Sequence, residues 1–301
     1  MRNHSTPSKA QRLRELLAGR TVAIPGACNA LTAMQIERAG FEIVYVSGAA
    51  ISAAHGLPDI GLISLTDMTR EASAIARSVA LPTIVDADTG YGPPSVVREA
   101  VQEFERAGLA GMQIEDQEEA KKCGHLSGKR LIPTADMVAK ITAAVEAKCD
   151  RDFVLVARTD ARTVDGLQAA IQRGVAYANA GADALFPEAL LSADEFHTFA
   201  LEMNRAGVHL PLIANMTEFG KTPYLSVDEF ETLGYRGVLF PVSTLRVAAL
   251  AVEKLLRELR FFGSQRAWLC LLYTSDAADD LLCVDLGGRR IIKKTKQRIN
   301  P

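Results

Sequence analysis

PTIVDADTGYGPPSVVREAVQEFERAGLAGMQIED, Pro82–Asp116, decides the fold. It opens with a short apolar run, Pro82–Asp88. Glycines and prolines follow, then a helical period over Ser95–Ala107 that stops at Gly108, and a second apolar run at Gly111–Asp116. Runs apolar on successive positions read as strands buried on both faces, as in a parallel sheet. A glycine just past a helical stretch is a common C-terminal stop. The stretch is one strand–helix–strand unit.

The same unit recurs along the chain. Upstream strands are expected at Thr21–Gly26 and Ile43–Gly48; downstream ones at Phe153–Asp160, Ala184–Glu188, Leu210–Met216 and Gly237–Ser243. Helices at Leu31–Ala39 and Leu167–Ala180 end before Gly40 and Gly181, and an Ala-Gly joint recurs at residues 39–40, 107–108, 180–181 and 206–207. Eight strands alternating with helices predict an α/β fold, a (β/α)8 TIM barrel of parallel strands with outer helices. A doubly wound sheet is the other reading, but it calls for a GxGxxG after an early strand, and the chain has none.

Three segments are expected: residues 1–20 as an arm and helix, 21–269 as the barrel, and 270–301 as a tail. The tail, CLLYTSDAADDLLCVDLGGRRIIKKTKQRINP, has no regular period. It reads as the translation of a sequencing-library adapter, non-native and disordered, which would cut short a C-terminal helical extension.

Composition narrows the function. A net charge of −2 lacks the basic excess of a nucleic-acid binder. No apolar run is long enough to span a bilayer. The five cysteines, Cys28, Cys123, Cys149, Cys270 and Cys283, have no paired metal spacing, and the N-terminus carries no apolar signal core. A reducing, cytoplasmic setting is expected.

In a barrel of this kind, chemistry sits at the C-terminal ends of the strands. Tyr45, Ser47, Gly48, Asp86, Asp88, Glu115, Asp116, Arg158, Asp160, Glu188, Asn215 and Ser243 all fall there, with Arg246 nearby. Asp86 and Asp88, two apart on an extended strand, point the same way. With Glu115 they make an oxygen-rich site suited to Mg²⁺; capping the next helix is the alternative. In KKCGH, Lys121–His125, two lysines and a histidine favour the thiolate of Cys123. An exposed loop cysteine is the plainer reading. Arg158 needs an anion, either a substrate carboxylate or a structural partner in Asp160 or Glu188. Asn215 and Thr217 suit a second carboxylate or a turn. His55 reads as a loop residue, and His4, His197 and His209 as exposed.

VDADTGYG, IEDQ, KKCGH, ARTDA, LFPEA and NMTEFGKTP, in this order on these strands, resemble the isocitrate lyase and phosphoenolpyruvate mutase superfamily. The likeness covers about Ala10–Leu269. The KKCGH-type loop is similar to its lyase branch, and NMTEFGKTP with FPVSTLRVAA to the members that cleave 2-methylisocitrate. The resemblance implies release of pyruvate and succinate in propionate breakdown, with Mg²⁺, or Mn²⁺ in its place, as cofactor. It implies Asp86, Asp88 and Glu115 as the metal shell and Cys123, Tyr45, His125 and Lys121 as catalytic residues. Ser47, Gly48, Ala49, Gly124, Arg158, Glu188, Asn215, Thr217 and Arg246 are the implied substrate contacts. It also implies a homotetramer that exchanges C-terminal helices, and a further arginine in a C-terminal stretch that the tail replaces. Related acids, 2,3-dimethylmalate or oxaloacetate, are the alternative substrates. A non-catalytic metabolite-binding barrel would be expected to lack the Asp pair or the loop cysteine.

Overall fold

The computed structural model describes residues 7–119, 121, 122, 124 and 128–268. Expectations for Cys123, His125 and the tail fall outside these residues. In chain order the elements begin α1 (Lys9–Ala18), β1 (Val22–Ala27), α2 (Ala30–Arg38), β2 (Val44–Val46), α3 (Gly48–Ala54), α4 (Leu65–Ser78) and β3 (Thr83–Asp86). They continue α5 (Pro94–Ala107), β4 (Gly111–Glu115), α6 (Thr134–Ala147), β5 (Val154–Thr159), α7 (Leu167–Asn179) and β6 (Ala184–Pro187). The last are α8 (Ala193–Arg205), β7 (Ile213–Asn215), α9 (Val227–Thr232), β8 (Gly237–Phe240) and α10 (Ser243–Phe262). The chain divides into two compact units, Met1–Leu245 and Arg246–Pro301.

The first unit is a (β/α)8 barrel. All eight strands are parallel, in the order β6-β5-β4-β3-β2-β1-β8-β7. The ring closes between β6 and β7 through a single parallel bridge, Leu185 to Leu212, where Leu185 N donates to Pro211 O. The strands are shorter than the apolar runs that announce them. Leu210–Met216 yields only Ile213–Asn215 at this weakly paired seam.

Local chemistry sets the helix ends. Serine or asparagine side chains cap α1, α2, α3, α4, α8 and α9, each accepting from a first-turn N–H. In α9, Ser226 and Glu229 form a reciprocal capping box. Helix α5 starts on a proline, buries Val97, Ala100, Val101, Phe104 and Ala107 at helical spacing, and stops at Gly108 with φ 89°.

Strand alternation divides the core in two. Outward side chains such as Val46, Val85, Met112, Ile114, Leu155, Leu185 and Val238 pack under the helices. Inward ones, including Ile24, Tyr45, Ile84, Val156, Phe186, Ile213 and Leu239, fill the barrel. Leu13 and Leu17 of α1 join this inner cluster and floor the barrel. Between α2 and α9, Ala23, Pro25, Ile36, Phe41, Val227 and Phe240 line an apolar groove over β1 and β8.

Helix α10 belongs almost wholly to the second unit. It carries no buried residue, and Val247, Leu250, Val252, Leu256, Phe261 and Phe262 are exposed.

The β1–β8 seam is tight at Gly26, where an added Cβ would lie 1.9 Å from the Pro241 carbonyl oxygen. Neither backbone can yield without breaking the ladder. Gly26→Ala is expected to cost about 3 kcal/mol, read as a lower urea midpoint.

Candidate active site

Along β3, β5, β6 and β7 the inward row is apolar low in the barrel and polar at the top, and on β4 it is polar over its upper half. Ile84 gives way to Asp86, Gln113 to Glu115, Val156 to Arg158, Phe186 to Glu188, and Ile213 to Asn215. A side-chain period of two carries one row from core to cleft. Register aligns the rows, since Asp86 pairs with Gln113 and Glu115 with Arg158. The resulting cleft, about 490 Å³ with its open mouth, is lined by Tyr45, Ser47, Ala49, Asp86, Lys121, Gly124, Arg158, Glu188, Asn215 and Thr217 among others.

Asp86 is fixed from three sides. Its Oδ1 accepts from Asp88 N (3.2 Å) and Gln113 Nε2 (3.3 Å), and its Oδ2 from Gly48 N (3.2 Å). Gln113 is itself held by the Tyr45 hydroxyl, which donates to its Oε1 at 2.6 Å. The expected reason for the Asp86–Asp88 alignment needs correction. Strand β3 ends at Asp86, and Asp88 sits in the left-handed region at φ 47°. A turn, and not strand alternation, brings the carboxylates together. An added Cβ on Gly48 would lie 3.1 Å from Asp86 Oδ2 and 3.3 Å from Asp88 Oδ1, so the glycine leaves a cradle open beside both.

Lys121 reaches into this acidic corner. Its ammonium lies 2.8 Å from Asp88 Oδ1 and also pairs with Asp59. Burial opposes its charge, but Asp88, Glu115, Asp86 and Asp59 overcome burial and hold the lysine protonated well beyond its usual range. Burial pushes Asp88 up to about 6 even with Lys121 pulling down. Glu115 is raised well above the usual carboxylate range by burial, against the pull of Arg158. One ammonium thus faces Asp59, Asp86, Asp88 and Glu115.

Arg158 anchors the opposite wall. Nε and Nη2 donate to Asp160 at 2.9 and 3.1 Å. Nη1 lies 3.0 Å from Glu115 Oε2, and Nη2 lies 3.5 Å from Glu188 Oε2. The guanidinium carbon stands 5.4 Å from the Phe186 ring centre. Structural pairing and a place in the cleft wall therefore hold together for this residue. Asn215 donates to Glu188 Oε2 at 3.1 Å, while its own Oδ1 is buried and accepts no hydrogen bond from the described residues.

Two expected roles change in the geometry. The N–H of Gly48 is committed to Asp86, so it is not turned to a substrate carboxylate; Ser47 and Ala49 are the neighbours that line the cleft. Burial and the charge of Asp86 raise the Tyr45 phenol well above its usual value, and its hydroxyl already donates to Gln113. Tyr45 is a donor, not a ready proton acceptor. Arg246 lies on α10, in the second unit. His55 pairs at 3.5 Å with Glu71 on the exposed surface, and His197 and His209 are exposed.

Sequence reasoning passed over Asp59, Gln113 and Lys129. Asp59 stands in the AAHGLPD stretch with the more conspicuous His55, and Gln113 lies within an otherwise apolar strand. Asp116 also turns away from the cleft. It accepts from Thr159, Tyr177 and Arg173 and from the N–H of Asp160, supporting the wall from behind.

No group of three or more His, Cys, Asp or Glu among the described residues is arranged to hold a metal alone. Mg²⁺ needs fewer, since it takes one or two carboxylates and keeps waters or substrate oxygens. The converging Asp86 and Asp88, the cradle beside Gly48 and the surplus of buried carboxylate fit such an ion.

Relatives share this architecture. The 2-methylisocitrate lyase of Aeropyrum pernix is 51% identical over 90% of this chain and 86% of its own. A solved 2,3-dimethylmalate lyase, a PEP mutase/isocitrate lyase superfamily member, superposes with a TM-score of 0.82 at 35% identity, over 87% of each chain. A phosphonopyruvate hydrolase solved with oxalate and Mg²⁺ matches with a TM-score of 0.82 at 29% identity, over 97% of this chain and 99% of its own. Residues 13–260 match the phosphoenolpyruvate phosphomutase family, and the chain belongs to that family, within the isocitrate lyase superfamily.

Proposed function

We propose that the chain is a Mg²⁺-dependent carbon–carbon lyase that splits 2-methylisocitrate into pyruvate and succinate. The observation that carries this reading is one cleft with a carboxylate cradle at Asp86 and Asp88 on one wall and Arg158, Glu188 and Asn215 on the other. A 2-hydroxy tricarboxylate has the matching pattern: a hydroxyl and carboxylate that chelate a cation, and further carboxylates for cationic and amide groups.

Bound at Asp86 and Asp88, with Glu115 behind them, Mg²⁺ would supply positive charge where the 2-oxygen gains electron density. The protein does the rest. Ser47 and Ala49 hold the carboxylate of the pyruvate half at the β2 end of the cleft. Arg158, Asn215 and Thr217 hold the succinate half. Tyr45 stays protonated and keeps Asp86 oriented through Gln113. As the hydroxyl proton passes to a carboxylate of the Asp86–Asp88 corner, where burial raises Asp88 to about 6, the C2–C3 bond breaks and the bonding pair stays on the departing carbon. Cys123 delivers a proton there, with Lys121 and His125 on the same stretch setting its readiness. A thiol in this role suits a reducing cytoplasm.

The chain is proposed to act as a homo-oligomer, a tetramer in which α10 of one copy covers the groove between α2 and α9 of another. An exposed helix rich in Val, Leu and Phe and an apolar groove of the same character support this.

Purified protein with Mg²⁺ is expected to release pyruvate from 2-methylisocitrate faster than it cleaves 2,3-dimethylmalate or oxaloacetate. Preference for either of the latter would reassign the substrate, and no turnover of any would end the lyase reading. Cys123→Ser is expected to lower kcat about a thousandfold while the Mg²⁺-induced rise in melting temperature persists; near-normal turnover would remove Cys123 from the acid role. Leu256→Asp is expected to shift the mass measured by light scattering toward the monomer, and an unchanged mass would exclude α10 from the interface.

A further inference from the structure

Lys129 takes no part in the cleft wall and has no role in the reaction as described above. It is nonetheless buried, with a side chain 1% exposed. An ammonium so placed is costly unless its hydrogens are matched. Two acceptors take two of its three hydrogens, the main-chain carbonyl of Gly124 and Asp160 Oδ1 at 2.6 Å. Asp160 is the carboxylate that grips Arg158 through Nε and Nη2. One cation therefore ties the main chain at residue 124 to the group that orients the guanidinium.

Gly124 is confined from the other side as well. A Cβ built on it would lie 2.5 Å from Arg158 Nη2 and 2.6 Å from Glu188 Cγ. Its backbone thus rests against the Arg158–Glu188 pair at a separation that no side chain would permit, with the Lys129 ammonium on its carbonyl. Gly124 directly follows Cys123 in sequence.

We infer that Lys129 is a positioning residue. By bridging the Gly124 carbonyl to Asp160, it fixes the main chain at Gly124, next in sequence to Cys123, in one register with Arg158. The inference rests on the proposed lyase reading for what the register serves, but the bridge itself does not depend on that reading. Lys129 acts through Gly124 and Asp160, because its ammonium is directed to protein acceptors and not into the cleft. A lysine that merely neutralised a buried aspartate would affect folding stability alone.

The test compares wild type, Lys129→Met, Lys129→Arg and Gly124→Ala as full chains with Mg²⁺. Two readouts are taken: steady-state kinetics on 2-methylisocitrate, and the rate at which trypsin cuts the folded protein after Lys121, Lys122 and Arg130, followed by mass spectrometry. Lys129→Met is expected to lose about a hundredfold in kcat with KM held within about threefold, and to be cut faster at these sites. Lys129→Arg is expected to restore most of the loss. Gly124→Ala, whose methyl group would press on Arg158, is expected to be cut faster at the same sites without touching the lysine. The inference is overturned if Lys129→Met keeps kcat within about threefold of wild type, or if trypsin cuts it at the wild-type rate. It is also overturned if KM rises while kcat stays, which would make Lys129 a substrate-binding group. If the wild type turns over none of the acids, the lyase reading fails, and the cleavage rates still decide whether Lys129 holds this stretch.

Discussion

A guanidinium buried among three carboxylates is the constraint on which this site depends. Arg158 meets Asp160, Glu115 and Glu188 at the top of the barrel, with Phe186 against its face. Burial works against its charge, yet Asp160, Glu115 and Glu188 more than offset it and hold its affinity for the proton well beyond the ordinary. The three acids would in turn be untenable without it. Adjacent strands are locked to one another by charge at the level where their inward rows turn from apolar to polar. The cleft is rigid there because no member of the group can leave without exposing another.

The opposite wall has a different character. Around Asp59, Asp86, Asp88 and Glu115 the acids outnumber the ammonium of Lys121, and burial raises Asp88 and Glu115. Such a corner is poised to accept positive charge, whereas on the Arg158 wall the guanidinium is already matched by carboxylates. A divalent cation relieves that corner and can carry a chelating anion with it, which is the physical basis for reading the cleft as the seat of a hydroxy acid.

Much of the fold was legible because its signals are local. Apolar runs, Ala-Gly joints and glycine stops mark all eight strands of the barrel within a few residues. The runs overshoot the strands where pairing is thin, as at Ile213–Asn215, since apolarity reports burial and not hydrogen bonding. In the site, Asp86, Glu115, Arg158, Glu188 and Asn215 were legible as strand-end polar residues with inward parity. The turn geometry of Asp88 was not, because a positive φ at a non-glycine residue leaves no mark in composition. Nor was the commitment of Gly48 N to Asp86, which depends on where two separate elements come to rest. Lys129, Asp59 and Gln113 were missed for a related reason. Each acquires meaning only from a partner distant in sequence, such as Asp160 for Lys129, 31 positions away.

The floor of the barrel has a temporal consequence. Leu13 and Leu17, made before every strand of the ring, join a cluster whose other members extend to Leu239. Their docking place is incomplete until nearly the whole ring has been synthesised. During translation this amphipathic segment must wait with its greasy side uncovered, a natural landing spot for a chaperone, and its insertion would come as a late closing event in assembly.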